Sequence, residues 1–141
     1  FRIGETMFFG KNLFTGKTNK GMTSNEKNLI TEIIEITPKP VLPIGELAEK
    51  TSGESYEIQE EDYGKTSYRA ILDVGLLDIS PDFLIPDDPK INVINASSDM
   101  LIVDLGNTRR NYKVGDHISF RLKYMGALRL MSSDYIEKKV L

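Results

Sequence analysis

The sequence predicts a mostly β chain, a small barrel or sandwich, on three observations. Short runs of branched and aromatic residues recur along it, Gly and Pro separate them, and no long helix is visible. The length of 141 residues is that of one ordinary domain, enough to bury a real core. No internal repeat is present.

Taken in order, residues 1–9 (FRIGETMFF) form a short apolar run, the pattern of a buried strand leading into a turn. Residues 10–25 are polar and Gly-rich and read as a connecting loop. Residues 29–36 (LITEIIEI) would also suit a helix face. The four isoleucines favour a strand, because branched side chains fit a pleated surface better, and Pro38 and Pro40 are expected to stop it. The segment 46–66, with its acidic run Glu60-Glu61-Asp62, reads as a solvated loop or irregular hairpin.

Residues 68–74 (YRAILDV) read as a buried strand, and 80–90, with three prolines, as irregular chain. Further strands are expected at 91–96 and 100–105. Val114-Gly115-Asp116 forms a turn ahead of the clearest strand. There Ile118, Phe120, Leu122 and Tyr124 alternate with His117, Ser119, Arg121 and Lys123, the period of two of a half-buried strand. Residues 126–131 are expected to make one helical turn, and 136–141 to close the sheet.

Composition excludes several classes of function. The chain is 40% hydrophobic and 28% charged, which argues for a packed fold and against disorder. The net charge of -3 leaves no electrostatic footprint for nucleic acid or an anionic membrane. No cysteine is present, so disulfides, thiolate nucleophiles and thiolate-bound metals are out; the expectation is a cytoplasmic protein. With His117 as the single histidine, a multi-histidine zinc site within this chain is also out. No apolar run approaches the roughly 18–20 residues of a membrane span. The start at Phe1, without a methionine and inside an apolar run, leads us to expect a fragment.

Three motifs invite a chemical reading and fail it. Residues 10–18 (GKNLFTGKT) imitate a phosphate-binding loop, but five residues instead of four separate Gly10 from Gly16, and no good helix follows. Asp82, Asp87 and Asp88 sit among prolines, where Asp is ordinary turn chemistry, so no metal site is expected. His117 falls on the polar face of its strand and reads as a surface residue. Arg2-Ile3-Gly4-Glu5 is more informative. A glycine at a strand end lets backbone N–H groups approach a phosphate, and an arginine two residues earlier can point into the same pocket.

Five segments give that tetrapeptide its weight: FRIGETMFFG at 1–10, VLPIGELAE at 41–49, RAILDVGLLDISPDFLIPDDP at 69–89, INASSDMLIVDL at 94–105 and YKVGDHISFRLKYMGALRLMSSDYIEK at 112–138. In this order they resemble the C-terminal part of the alanine/ornithine racemase family, fold-type III enzymes dependent on pyridoxal 5'-phosphate. The likeness covers nearly the whole chain and is weakest in 46–66. It implies an upstream α/β barrel carrying the lysine that holds the cofactor. Residues 1–24 would then be the end of that barrel and a linker, and 25–141 a C-terminal β domain. It also implies a head-to-tail homodimer, in which the β domain of one subunit closes the active site of the other over an amino-acid substrate.

The resemblance assigns roles residue by residue. Arg2 matches the arginine that hydrogen-bonds the pyridine nitrogen; a guanidinium does not give up its proton, so the ring stays a weaker electron sink. Gly4 and Glu5 match positions whose backbone N–H groups hold the cofactor phosphate. Ser97, Ser98 and Asp99 match a Ser-Ser-Asp segment facing the partner's substrate, where an acid suits a cationic substrate such as ornithine. Tyr135 matches a residue near the phosphate. Racemisation needs acid/base groups on both faces of the α-carbon. Alanine racemases supply one from a Gly-Tyr-x-Asp segment, and here Gly75-Leu76-Leu77-Asp78 has leucine instead, which transfers no proton. That leaves Asp78 and Asp99 as the catalytic candidates in this chain, which by itself is expected to be inactive. Two rival readings are a non-catalytic β-barrel binding module using the 43–66 region, and another activity on the same fold, such as a decarboxylase.

Overall fold

The computed structural model describes residues 4–22, 27–41, 64–106 and 111–139. Its centre is a six-stranded antiparallel sheet in the order β3-β6-β1-β2-β5-β4, mostly β and barrel-like as the sequence predicts. The strands are β1 (Asn28–Pro40), β2 (Thr66–Leu72), β3 (Leu84–Pro86), β4 (Asn92–Ala96), β5 (Leu101–Asp104) and β6 (His117–Leu122). A 3-10 turn, Pro81–Phe83, precedes edge strand β3 and packs against β4, the opposite edge, so the sheet curls toward closure.

Alternation within the strands builds the core. Leu29, Thr31 and Ile33 of β1 point inward while Ile30, Glu32 and Ile34 point out. A bulge between Ile33 and Glu35 then shifts the register, placing Ile36 against the core two residues from Ile34. On the neighbouring strands the inward rows are Ala70 and Leu72, Leu101 and Val103, and Ile118, Phe120 and Leu122. Register sets them side by side: Leu29 faces Phe120, Ile33 faces Leu72, Leu72 faces Leu101, and Leu84 faces Leu122. Same-face pairs of this kind are the unit of sheet stability. Thr31 is the one buried polar side chain of the described core, and its hydroxyl donates to the carbonyl of Ile118.

Several sequence expectations are corrected, among them Tyr124, which falls after β6 and not within it. Residues 4–9 are not a strand but a helix, α1 (Gly4–Phe9). Gly4 and Met7 are exposed and the residues between and after them partly buried, a three-residue spacing that an apolar run without alternation conceals. Phe8 and Phe9 pack edge-on against Tyr124, and the Lys27 ammonium lies 4.0 Å from the Phe8 ring centre while donating to the Phe8 carbonyl at 2.7 Å. Helix α1 is thereby fastened to the start of β1.

Pro38 and Pro40 do not stop β1. The Val41 N–H donates to the Lys65 carbonyl, so odd-numbered residues turn their N–H groups toward β2, and the nitrogens of the two prolines, which carry no hydrogen, face away from it. Beyond Ile33, β1 is paired on that one side, and a missing donor on the open side costs no ladder bond. The proline-rich stretch 80–90 holds the short strand β3, tolerated because it is an edge strand whose Pro86 is terminal. The expected single helical turn is a nine-residue helix, α2 (Tyr124–Ser132), which covers one end of the sheet with Gly126, Ala127 and Leu130. No strand forms over residues 133–139. The segment 46–66 lies outside the described residues up to position 63.

Candidate functional site

Strands β2 and β5 are neighbours, so the turns at their ends meet. After β2 the buried Val74 and Ile79 pin a tight turn, Gly75–Asp78, between them. The hairpin joining β4 to β5 reverses at Ser97–Met100, where the Ser97 N–H donates to the Met100 carbonyl at 2.8 Å. The Ser97 hydroxyl adds a second brace, accepting from the Met100 N–H at 3.2 Å.

The two turns are joined backbone to backbone. The N–H groups of Leu76 and Leu77 donate to the carbonyls of Ser97 and Ser98, each at 2.9 Å. Gly75 is pressed so closely against the second turn that a Cβ there would come within 2.5 Å of the Asp99 carbonyl carbon and the Met100 nitrogen, and would collide with the Ser98 oxygen. Glycine is required here by space.

A third element completes the unit. Arg129 of α2 donates from Nε to the Asp78 carbonyl at 2.9 Å, and from one terminal nitrogen to the carbonyls of Leu77 at 3.0 Å and Leu76 at 3.3 Å. The guanidinium thus gathers three successive carbonyls. The backbone polarity of the turn is spent inward, on α2 and on the Ser97–Met100 turn. Leu76, Leu77, Ser98, Asp99 and Met100 stand exposed on the outer surface, with Leu77 at 70% exposure.

The structure therefore brings together Leu76, Asp78, Ser97, Ser98 and Asp99, the residues singled out from sequence in two separate segments. Their roles differ. The Asp78 carboxylate accepts from the Gly75 N–H at 3.4 Å across its own turn, the work of a turn brace. The Asp99 carboxylate accepts from the Ser98 hydroxyl at 2.7 Å and is otherwise open; among the described residues no basic side chain is paired with it. It can receive a cation. Leu76 offers no proton-transferring atom.

Gly4 and Glu5 lie elsewhere, at the start of α1 against Tyr124. A Cβ on Gly4 would meet the Tyr124 hydroxyl oxygen at 2.9 Å, so that hydroxyl sits directly over the glycine backbone. Helix α2 links the two places: Tyr124 opens it and Arg129 follows five residues later, about 7.5 Å along the axis. Tyr135 is almost fully exposed beyond the helix, and Arg2 lies outside the described residues. His117 is exposed on β6, at a cleft of about 310 Å³ that Asp87, Asp88 and Tyr112 also line. Among the described residues no group of three potential metal ligands converges, and no helix is long and apolar enough to cross a membrane.

Sequence reasoning missed Arg129. The signal was present but indirect: read as a helix, residues 124–132 place Gly126 and Arg129 three apart, on one face. Gly126 seats that face against Ile79 and Phe83, where a Cβ would meet the Phe83 side chain at 2.7 Å.

No family model matches the chain, and no solved structure does. Curated proteins do. It is similar to the ornithine racemase of Acetoanaerobium sticklandii, 39% identical over 140 residues, which are 99% of this chain and 39% of that protein. It is also similar to the lysine racemase of Thermotoga maritima, 31% identical over 137 residues, 97% of this chain and 38% of that protein. The chain thus spans about two-fifths of the length of the relatives it matches. Both alignments run through the two turns, α2 and the sheet together. Identity at this level along nearly its whole length is consistent with a C-terminal domain of the alanine/ornithine racemase type, matched to a part of each relative.

Proposed function

We propose that this chain is the C-terminal β domain of a racemase acting on basic amino acids with pyridoxal 5'-phosphate, and that it closes the active site of a second subunit of a homodimer. The observation that carries this reading is the exposed Asp99 carboxylate on the joined turns, in a chain whose relatives are an ornithine and a lysine racemase. Both named substrates have a side-chain ammonium, and a carboxylate oriented by a neighbouring hydroxyl is the complementary group.

The residues present fit the phosphate end of the cofactor. Gly4 has no side chain to block its N–H, that N–H and the next open a helix and so lack intrahelical acceptors, and the Tyr124 hydroxyl lies beside them. Gly4 and Glu5 would hold the phosphate through backbone N–H groups, and Arg2 would face the pyridine nitrogen. When bound, the cofactor supplies the electron sink that makes the α-proton of an amino acid removable.

This chain's own part is recognition and exclusion of water. Asp99 receives the substrate's distal ammonium, with the Ser98 hydroxyl fixing the carboxylate rotamer. Leu76, Leu77 and Met100 form the apolar rim that seals against the partner's barrel. Asp78 is engaged in its own turn and Leu76 carries no acidic proton, so both proton-transferring groups come from outside the Gly75–Asp78 turn.

The test is chiral chromatography of ornithine, lysine and alanine after incubation with the full-length protein. Interconversion of the basic enantiomers, with alanine slow, is expected. Asp99→Asn should raise KM for ornithine about tenfold or more, the worth of one charged hydrogen bond, and leave alanine unaffected. Release of carbon dioxide instead of racemisation would establish the decarboxylase reading.

A further inference from the structure

We infer that Arg129 is a positioning residue, one that sets the Asp99 carboxylate for the substrate without touching it. The inference rests on the reading of the joined turns as the substrate-facing surface. Its ground is geometric. Three carbonyls in succession converge on one guanidinium, at 2.9, 3.0 and 3.3 Å. A turn whose carbonyls all face one way is unfavourable unless a cation or several donors collect them. Here a planar fork does so, and a point ammonium cannot span the same three oxygens.

The chain of contacts from Arg129 to Asp99 is short. Arg129 holds the carbonyls of Leu76 and Leu77. The N–H groups of the same two residues hold the carbonyls of Ser97 and Ser98. Ser98 in turn donates its hydroxyl to Asp99. At the other end, the seat of Gly126 against Ile79 and Phe83 fixes how closely α2 approaches, so the guanidinium arrives at one distance only. Removing the fork frees the first turn from α2, and the Asp99 carboxylate loses its fixed placement while remaining chemically intact.

This separates Arg129 from residues that merely hold the fold together. It is exposed, lies outside the hydrophobic core, and braces only the turn. Its loss should act on binding more than on stability or chemistry.

The experiment compares Arg129→Gln and Arg129→Lys with wild type in the full-length protein. Amide hydrogen exchange followed by mass spectrometry reads the turns directly. Steady-state kinetics with ornithine reads KM against kcat. In Arg129→Gln, peptides covering 74–79 and 97–100 should exchange faster while those of β1 and β6 stay protected. KM for ornithine should rise about tenfold with kcat within about twofold. Arg129→Lys should fall between the two proteins on both readouts.

Unchanged exchange at the turns would overturn the inference. So would faster exchange with KM unaltered, or a general loss of protection across the sheet, which would make Arg129 a stability residue. Wild-type protein that racemises no basic amino acid would sink the racemase reading and the kinetic half of this inference with it. The exchange data would even then decide whether Arg129 holds the turn.

Discussion

Gly75 and Gly115 each need to be glycine for a different physical reason, and the difference is measurable. Gly115 has φ of 90° in a turn with open space around it, so a side chain there pays only for backbone conformation. Gly75 has an ordinary φ but no room, since a Cβ would enter the backbone of Ser98–Met100. Gly115→Ala should therefore cost roughly 1–2 kcal/mol. Gly75→Ala should cost about 3 kcal/mol, the upper range for overpacking against atoms that cannot rotate away. Chemical denaturation of the two variants checks the order; equal losses would show that the turns separate easily.

Sequence alone placed a glycine at both positions without distinguishing them, because a missing side chain looks the same whether it serves an angle or a contact. Asp78 shows the same ambiguity. Its match to the acid of the Gly-Tyr-x-Asp segment marked it as a catalytic candidate, and the structure uses its carboxylate to close the turn that it belongs to.

Among the elements, β1 shows how little a residue type decides without its register. Two prolines lie within a 13-residue strand because both fall on the parity whose N–H would face the unpaired side. The consequence is a sharp asymmetry between neighbours. Pro38→Ala should be nearly neutral. Thr37→Pro, one position away, removes a donor from the β1–β2 ladder and should cost about 1–3 kcal/mol. Thermal unfolding of both variants would test it, and equal effects would mean the ladder runs in the other register. Helix α1 makes the complementary point. Its six residues are too few to be stable in isolation, and Phe8, Phe9 and Lys27 hold it through tertiary contacts with Tyr124 and β1.

At the scale of the whole molecule, one helix coordinates two distant parts of the sequence. Helix α2 carries Tyr124 over Gly4 at its start and Arg129 under the joined turns near its end. Exposed apolar side chains gather on the same outer surface, among them Leu76, Leu77 and Met100. Under the proposed arrangement that rim is buried against a second subunit. Leu77→Asp should then leave the unfolding midpoint of the β domain almost unchanged, since the side chain is 70% exposed. It should weaken self-association of the full-length protein, seen as a monomer fraction in light scattering at dilution. An unaltered association state would remove this rim from the interface.

The sequence by itself determined the likeness to racemases, the mostly β class and the strands with clear alternation, β6 above all, because period-two burial and ordered motifs are written locally. It also named both halves of the candidate site, Gly75–Asp78 and Ser97–Asp99, though not that they touch. Only the tertiary structure decided that. Contact between those turns follows from β2 and β5 being neighbours in the sheet, a long-range pairing that no local pattern encodes. The same cause hid Arg129, whose three acceptors lie about fifty residues upstream. It also hid α1, whose helix depends on aromatic contacts with a residue more than a hundred positions away. Local patterns fix which residues turn inward; which inward surfaces meet depends on how the sheet closes.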